Sequence, residues 1–143
     1  MVKLTNEDLK CITLFEQLTG ASVVDCLVEP GSAVFIVREG DMGRAIGKSG
    51  SAIERVRKAF NRNISVVEHS DKMDRFIANL FPSIPIRDIK VREEGGTRMA
   101  TISVDAKDRG NAIGRNGEHI KLAKKLLMRH FDTDLKLFSP LSL

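Results

Sequence analysis

Gly43-Arg44-Ala45-Ile46-Gly47-Lys48-Ser49-Gly50-Ser51-Ala52-Ile53 returns 67 residues later as Gly110-Asn111-Ala112-Ile113-Gly114-Arg115-Asn116-Gly117-Glu118-His119-Ile120, with six positions identical. Both copies follow their second glycine with a basic residue, Lys48 or Arg115. Two copies of so specific a segment mean that the chain is to be read as two similar halves.

The flanks repeat as well. Leu9, Ile12, Phe15 and Leu18 are spaced by three, which predicts a helix capped at Thr5 and running to Thr19. Ser70 takes the capping place ahead of Met73, Phe76, Ile77, Leu80 and Phe81, and Pro82 stops that second helix. Residues 22–29 and 32–38 read as strands joined at Pro30-Gly31, and residues 86–92 and 97–105 as strands joined at Glu94-Gly95-Gly96. Short helical stretches at 41–46 and 107–113 lead into the glycine segments. A helix striped by Ile53, Val56 and Phe60, or by Ile120, Ala123 and Leu127, follows each segment. Apolar strands at 64–67 and 135–138 close the halves. Each half therefore reads helix, strand, strand, helix, loop, helix, strand. The expected domains are 1–69 and 70–143, and the short junction near His69 predicts that they are held in fixed relation.

Composition narrows the function. At 42% hydrophobic residues the chain has the material for compact cores, and a net charge of +4 is too small for a basic tail. The positive charge is nevertheless concentrated. Residues 43–62 hold Arg44, Lys48, Arg55, Arg57, Lys58 and Arg62 against Glu54 alone; residues 110–129 hold Arg115, Lys121, Lys124, Lys125 and Arg129 against Glu118 alone. The remainder of the chain is net acidic. Basic residues gathered beside two glycine loops are the pattern of a surface that neutralises phosphates. With no Trp, no Tyr and seven Phe, all in apolar patterns and expected in the core, binders that work through rows of stacking aromatics are at a disadvantage. Cys11 and Cys26 lie in apolar stretches and read as core residues, which favours a reduced, cytoplasmic setting. No apolar run is long enough to span a membrane.

The loops Gly47-Lys48-Ser49-Gly50 and Gly114-Arg115-Asn116-Gly117 carry the chemistry. Glycines let a polynucleotide backbone come close, amides at the start of the following helix are donors, and Lys48 or Arg115 adds charge. A plain helical corner also needs glycine, but it has no need of a cation in both copies.

These segments resemble the Ile-Gly-x-x-Gly-x-x-Ile core of KH domains, and the strands ahead of the loop match the type II arrangement. Two such domains in tandem resemble the KH pair of NusA-type transcription elongation and termination factors in their short archaeal form. The resemblance implies an α+β fold, two tandem type II KH domains, each a three-stranded sheet packed with helices. It also implies that each loop clamps about four nucleotides of single-stranded RNA while bases lie in an apolar groove. Carried over by position, Gly47, Lys48, Ser49 and Gly50 hold one backbone segment and Gly114, Arg115, Asn116 and Gly117 the next, with Ile46 and Ile113 lining the grooves. Arg44, Arg55 and Lys121 complete the expected RNA-binding set. Nothing corresponds to the N-terminal polymerase-binding domain or the oligonucleotide-binding barrel of the bacterial factors. RNA polymerase is nonetheless the candidate protein partner, facing the acidic remainder of a chain expected to act as a monomer.

The alternatives are a ribosome-assembly or translation-associated KH protein, a binder of single-stranded DNA and, from another class, a nucleotide-hydrolysing P-loop. The P-loop spacing fails, because Met42 stands where its first glycine belongs and the second copy has no Lys-Ser pair. His69, His119, His130, Cys11 and Cys26 show no metal-ligand spacing, and no nucleophile motif is present. No catalysis and no cofactor are expected.

Overall fold

The computed structural model describes residues 3–140. Contacts divide the chain into two units, with the division between Asp71 and Lys72.

In the first unit, helix α1 (Asn6–Thr19) opens on a reciprocal cap: Thr5 Oγ1 accepts from the Asp8 amide and the Asp8 carboxylate accepts from the Thr5 amide, each at 3.0 Å. Such a cap contributes about 1 kcal/mol. Ile12 and Phe15 are buried, whereas Leu9 at the edge of the stripe is exposed. Strands β1 (Val23–Glu29) and β2 (Ser32–Val37) pair antiparallel across Pro30-Gly31. Gly31, at φ 86, supplies the positive φ that a type II turn requires after proline. Strand β3 (Asn63–Glu68) pairs parallel to β2, so β2 is central and all of it after Ser32 is buried. A parallel return demands a crossover, supplied by helices α2 (Met42–Ile46) and α3 (Ser51–Phe60) with the glycine loop between them. Phe15 stacks on Phe35 at 4.3 Å, and Phe60 tilts against Phe35 at 5.4 Å. Aromatic pairs of this kind add about 0.5–1.5 kcal/mol beyond the area they bury.

The second unit uses the same order. Helix α4 (Met73–Leu80) has 8 residues where α1 has 14, and its N-cap is Lys72, with no side-chain cap. Ser70, read as that cap from sequence, is buried two residues earlier. Strand β4 (Asp88–Glu94) begins two residues later than expected and extends to Glu94, leaving Gly95 and Gly96 as a two-residue turn to β5 (Thr97–Ser103). Their φ values of 59 and 82 suit a type I′ hairpin. Helices α5 (Arg109–Ile113) and α6 (Glu118–Phe131) make the crossover to β6 (Thr133–Phe138), again parallel to the central strand. Phe76, Ile77, Leu80, Phe81, Ile102, Leu126, Leu127 and Leu135 are buried here.

Two expectations about apolar residues need correction. Phe138 is 55% exposed: alternation puts Thr133 and Leu135 on the inner face of β6 and Phe138 on the face of Asp134 and Lys136. Cys26 is buried, but Cys11 is only half-buried, with burial pushing its thiol up from the ordinary cysteine value.

Candidate nucleic-acid interface

The two glycine loops have the same backbone. Gly47 lies at φ 77, ψ 172 and Gly114 at φ 78, ψ 173; Ser49 at φ 55, ψ 30 and Asn116 at φ 55, ψ 25; Gly50 at φ 77, ψ 14 and Gly117 at φ 72, ψ 14. The first glycine of each loop occupies a region essentially closed to other residues. Space excludes a side chain as well. A Cβ on Gly47 would lie 2.7 Å from both Cβ and N of Ala52, and one on Gly114 would lie 2.6 Å from His119 Cβ. Gly50 and Gly117 have room for a Cβ but sit in the left-handed region. The chain therefore doubles back tightly enough for the first glycine to touch the next helix, and the middle pair is pushed outward.

That pair is where the sequence placed its cations. Lys48, Ser49, Arg115 and Asn116 are all exposed. The turn closes on its own bonds, Gly50 N–H to the Gly47 carbonyl and Gly117 N–H to the Gly114 carbonyl, both at 3.1 Å. The Lys48 and Ser49 amides, and those of Arg115 and Asn116, lie ahead of these bonds and take no part in them. Ile46 is 37% exposed beside the first loop, and Ile113 is half-buried beside the second.

The remaining expected residues fall into different places. Lys121 lies alongside its loop, its Cε 4.0 Å from the position a Gly117 Cβ would take. Arg44 is exposed and only 4.0 Å from the Asp41 carboxylate, which also has Arg38 at 3.6 Å. Arg55 donates to the Leu18 carbonyl, in the last turn of α1, at 3.4 Å. Of the outlying basic residues, Arg57 pairs with Glu54 at 2.7 Å. It lines, with Gly31, Asn61, Arg62 and Asn63, a polar cleft of about 300 Å³ at the far end of α3.

Two aspartates fix the approach to the loops, and sequence reading had given them no role. Asp41, at the start of α2, accepts the Ser22 amide at 2.8 Å. That bond, followed by Arg38 and Arg44, holds its carboxyl below the ordinary aspartate value against the opposing effect of burial. Asp105, ahead of α5, is gripped by the Arg87 guanidinium, with Nη2 to Oδ2 at 2.8 Å. The hydrogen bond from Arg87 likewise lowers its pKa. Each aspartate thus pins the start of its unit's first strand to the segment that carries the loop. His119 was also missed as a structural element: Nε2 lies 2.8 Å from the Leu80 carbonyl and the ring stands edge-on to Phe81 at 5.2 Å. Such contacts join residues 18 to 39 apart and leave no local pattern to read.

Among the described residues, no group of His, Cys, Asp and Glu could hold a metal ion, and no helix is long and apolar enough to cross a membrane.

Residues 12–95 match the KH domain family, and residues 73–135 match the NusA-like second KH domain. The probable transcription termination protein NusA of Halococcus morrhuae is 40% identical over 133 residues, covering 93% of this chain and 95% of that protein. The chain belongs to the NusA-like KH-domain family. The protein of the same description from Methanocaldococcus jannaschii is 34% identical over 129 residues, 90% of this chain and 70% of its own length. Among solved structures, the crystal structure of APE1850 is similar at a TM-score of 0.83 and 37% identity, covering 96% of this chain and all of the other. The α+β fold of this NusA-like chain, two three-stranded sheets each packed with helices, is that of two KH domains in tandem.

Proposed function

We propose that this chain is a single-stranded RNA-binding factor of transcription elongation and termination, and that its two glycine loops grip nascent RNA by the backbone. The observation that carries the proposal is the repeated loop itself: one backbone conformation, built twice, presenting a cation and a small polar residue outward each time. Lys48 in one loop and Arg115 with Lys121 in the other supply phosphate-neutralising charge, and Ile46 and Ile113 offer apolar surface to a base. Gly47, Ser49, Gly50 and Arg44 complete the first site as proposed, and Gly114, Asn116 and Gly117 the second. Arg55 belongs to the set through its hold on α1 rather than as a direct contact. Residues 1–69 and 70–143 are the proposed domains, the reaction repertoire is binding alone, and the acidic remainder of the chain is the face proposed for RNA polymerase.

Paired bases cannot enter a groove that takes four nucleotides splayed from one strand. An unstructured RNA oligomer is therefore expected to bind at least tenfold more tightly than the same strand annealed to its complement. Equal or tighter binding of the duplex, measured by fluorescence anisotropy at one fixed salt concentration, overturns the reading.

A further inference from the structure

The helix after each glycine loop is tied back to the first helix of its own unit, and the two units use different side chains for the tie. In the first, the Arg55 guanidinium reaches the Leu18 carbonyl in the last turn of α1 at 3.4 Å. In the second, the donor is His119, the second residue of α6, 2.8 Å from the Leu80 carbonyl at the end of α4. Carbonyls in a last helical turn have no further amide of their own helix to accept, and the negative end of the helix dipole favours a donor there. A carbonyl only accepts, so Nε2 carries the proton in this bond.

His119 does a second thing that Arg55 does not. Its Cβ is the wall against which Gly114 packs, the place Ala52 takes opposite Gly47. In the first unit, backing the loop and holding the neighbouring helix are divided between Ala52 and Arg55. In the second, one residue does both, and the edge-on contact with Phe81 fixes its ring.

We propose that His119 is the positioning residue of the second glycine loop: its ring bond to the Leu80 carbonyl holds Gly114 and the start of α6 in the set that receives RNA. The proposal rests on the RNA-binding reading of the loop and assigns His119 no contact with RNA. It also explains why an imidazole stands at a position where the twin loop needs only a methyl group.

That twin supplies the control. Alanine already backs an identical loop backbone in the first unit, so His119→Ala keeps the packing against Gly114 and removes only the ring. With the first loop silenced by Lys48→Asp and Ser49→Asp, His119→Ala is expected to weaken RNA binding about 3- to 10-fold, the worth of one hydrogen bond. Amide exchange at 114–118 should quicken. With the second loop silenced instead, by Arg115→Asp and Asn116→Asp, the same substitution should leave RNA binding unchanged. His119→Phe keeps the ring contact without the donor and should bind like the alanine variant, whereas His119→Gln restores a donor and should recover most of the loss. Parental RNA binding by His119→Ala or His119→Phe in the first background overturns the proposal, as does equal weakening in both backgrounds or a glutamine variant no better than phenylalanine. If neither loop double substitution affects RNA binding, the functional reading itself fails, an outcome distinct from failure of the His119 proposal alone.

Discussion

The two units build one loop on unequal supports. The first has a 14-residue helix with a reciprocal cap beside its sheet, and the second an 8-residue helix with no side-chain cap. The helix after the loop is 10 residues in the first and 14 in the second, a difference of one turn or about 6 Å. Even the residue backing the loop differs, Ala52 against His119. The loop dihedrals nevertheless agree within about 5°. What the repeat has kept is thus the loop and the two glycines that force it, while the scaffold around it has been free to vary.

The largest effects should come from those glycines. Gly47→Ala and Gly114→Ala meet both a forbidden backbone region and a collision, and each is expected to cost about 2–5 kcal/mol in chemical denaturation. Gly50→Ala and Gly117→Ala meet only the left-handed penalty, about 1–2 kcal/mol. Amide exchange will show which unit loses protection. If Gly47→Ala costs no more than Gly50→Ala, the close approach to the next helix is not what fixes the loop.

Much of this could be read in advance, because glycine and hydrophobic period are local signals. The six shared residues of the repeat, the order of elements and both hairpins were legible, and so were the exposed cations of each loop. The departures have physical causes. The closing strands expected at 64–67 and 135–138 already imply a longer second crossover, but the helix ends carry no glycine signal, because both helices end on left-handed caps at Asn61 and Asp132, at φ 51 and 50. The repeat offset therefore slips from 67 to 71 within a helix, where no turn signal marks it. Phe138 departs from the expected core because the apolar run from Leu135 does not show that the inward face of β6 continues from Thr133. The destination of Arg55 depends on a carbonyl 37 residues away, which no pattern along α3 reveals.

Smaller effects separate the two aspartates. Both carboxyls are held below the ordinary value of 3.8, so the stability they contribute is present above that value and is lost as pH falls through their lower folded values. The stability deficits of Asp41→Asn and Asp105→Asn, measured as denaturation midpoints, should therefore be largest near neutral pH and narrow below about pH 4. Salt should tell them apart. Asp105 owes its shift to a partly exposed guanidinium pair that ions screen, whereas Asp41 owes its own first to the Ser22 amide. Raising salt should shrink the Asp105→Asn deficit more than the Asp41→Asn deficit, and the reverse order would mean that the causes are assigned to the wrong residues.

Whether the two loops act as phosphate grips is tested most directly by the salt dependence of RNA binding. Each phosphate contact of a single strand contributes about 0.7 to the slope of log affinity against log salt. Lys48→Asp with Ser49→Asp, and separately Arg115→Asp with Asn116→Asp, should each weaken binding of a single-stranded RNA long enough for both loops and lower that slope by about 0.7–1.4. The substituted positions are exposed and aspartate tolerates the left-handed conformation, so thermal unfolding should shift by no more than about 0.5 kcal/mol. Slopes and affinities equal to those of the parent in both double variants would contradict the account and leave the loops as helical corners.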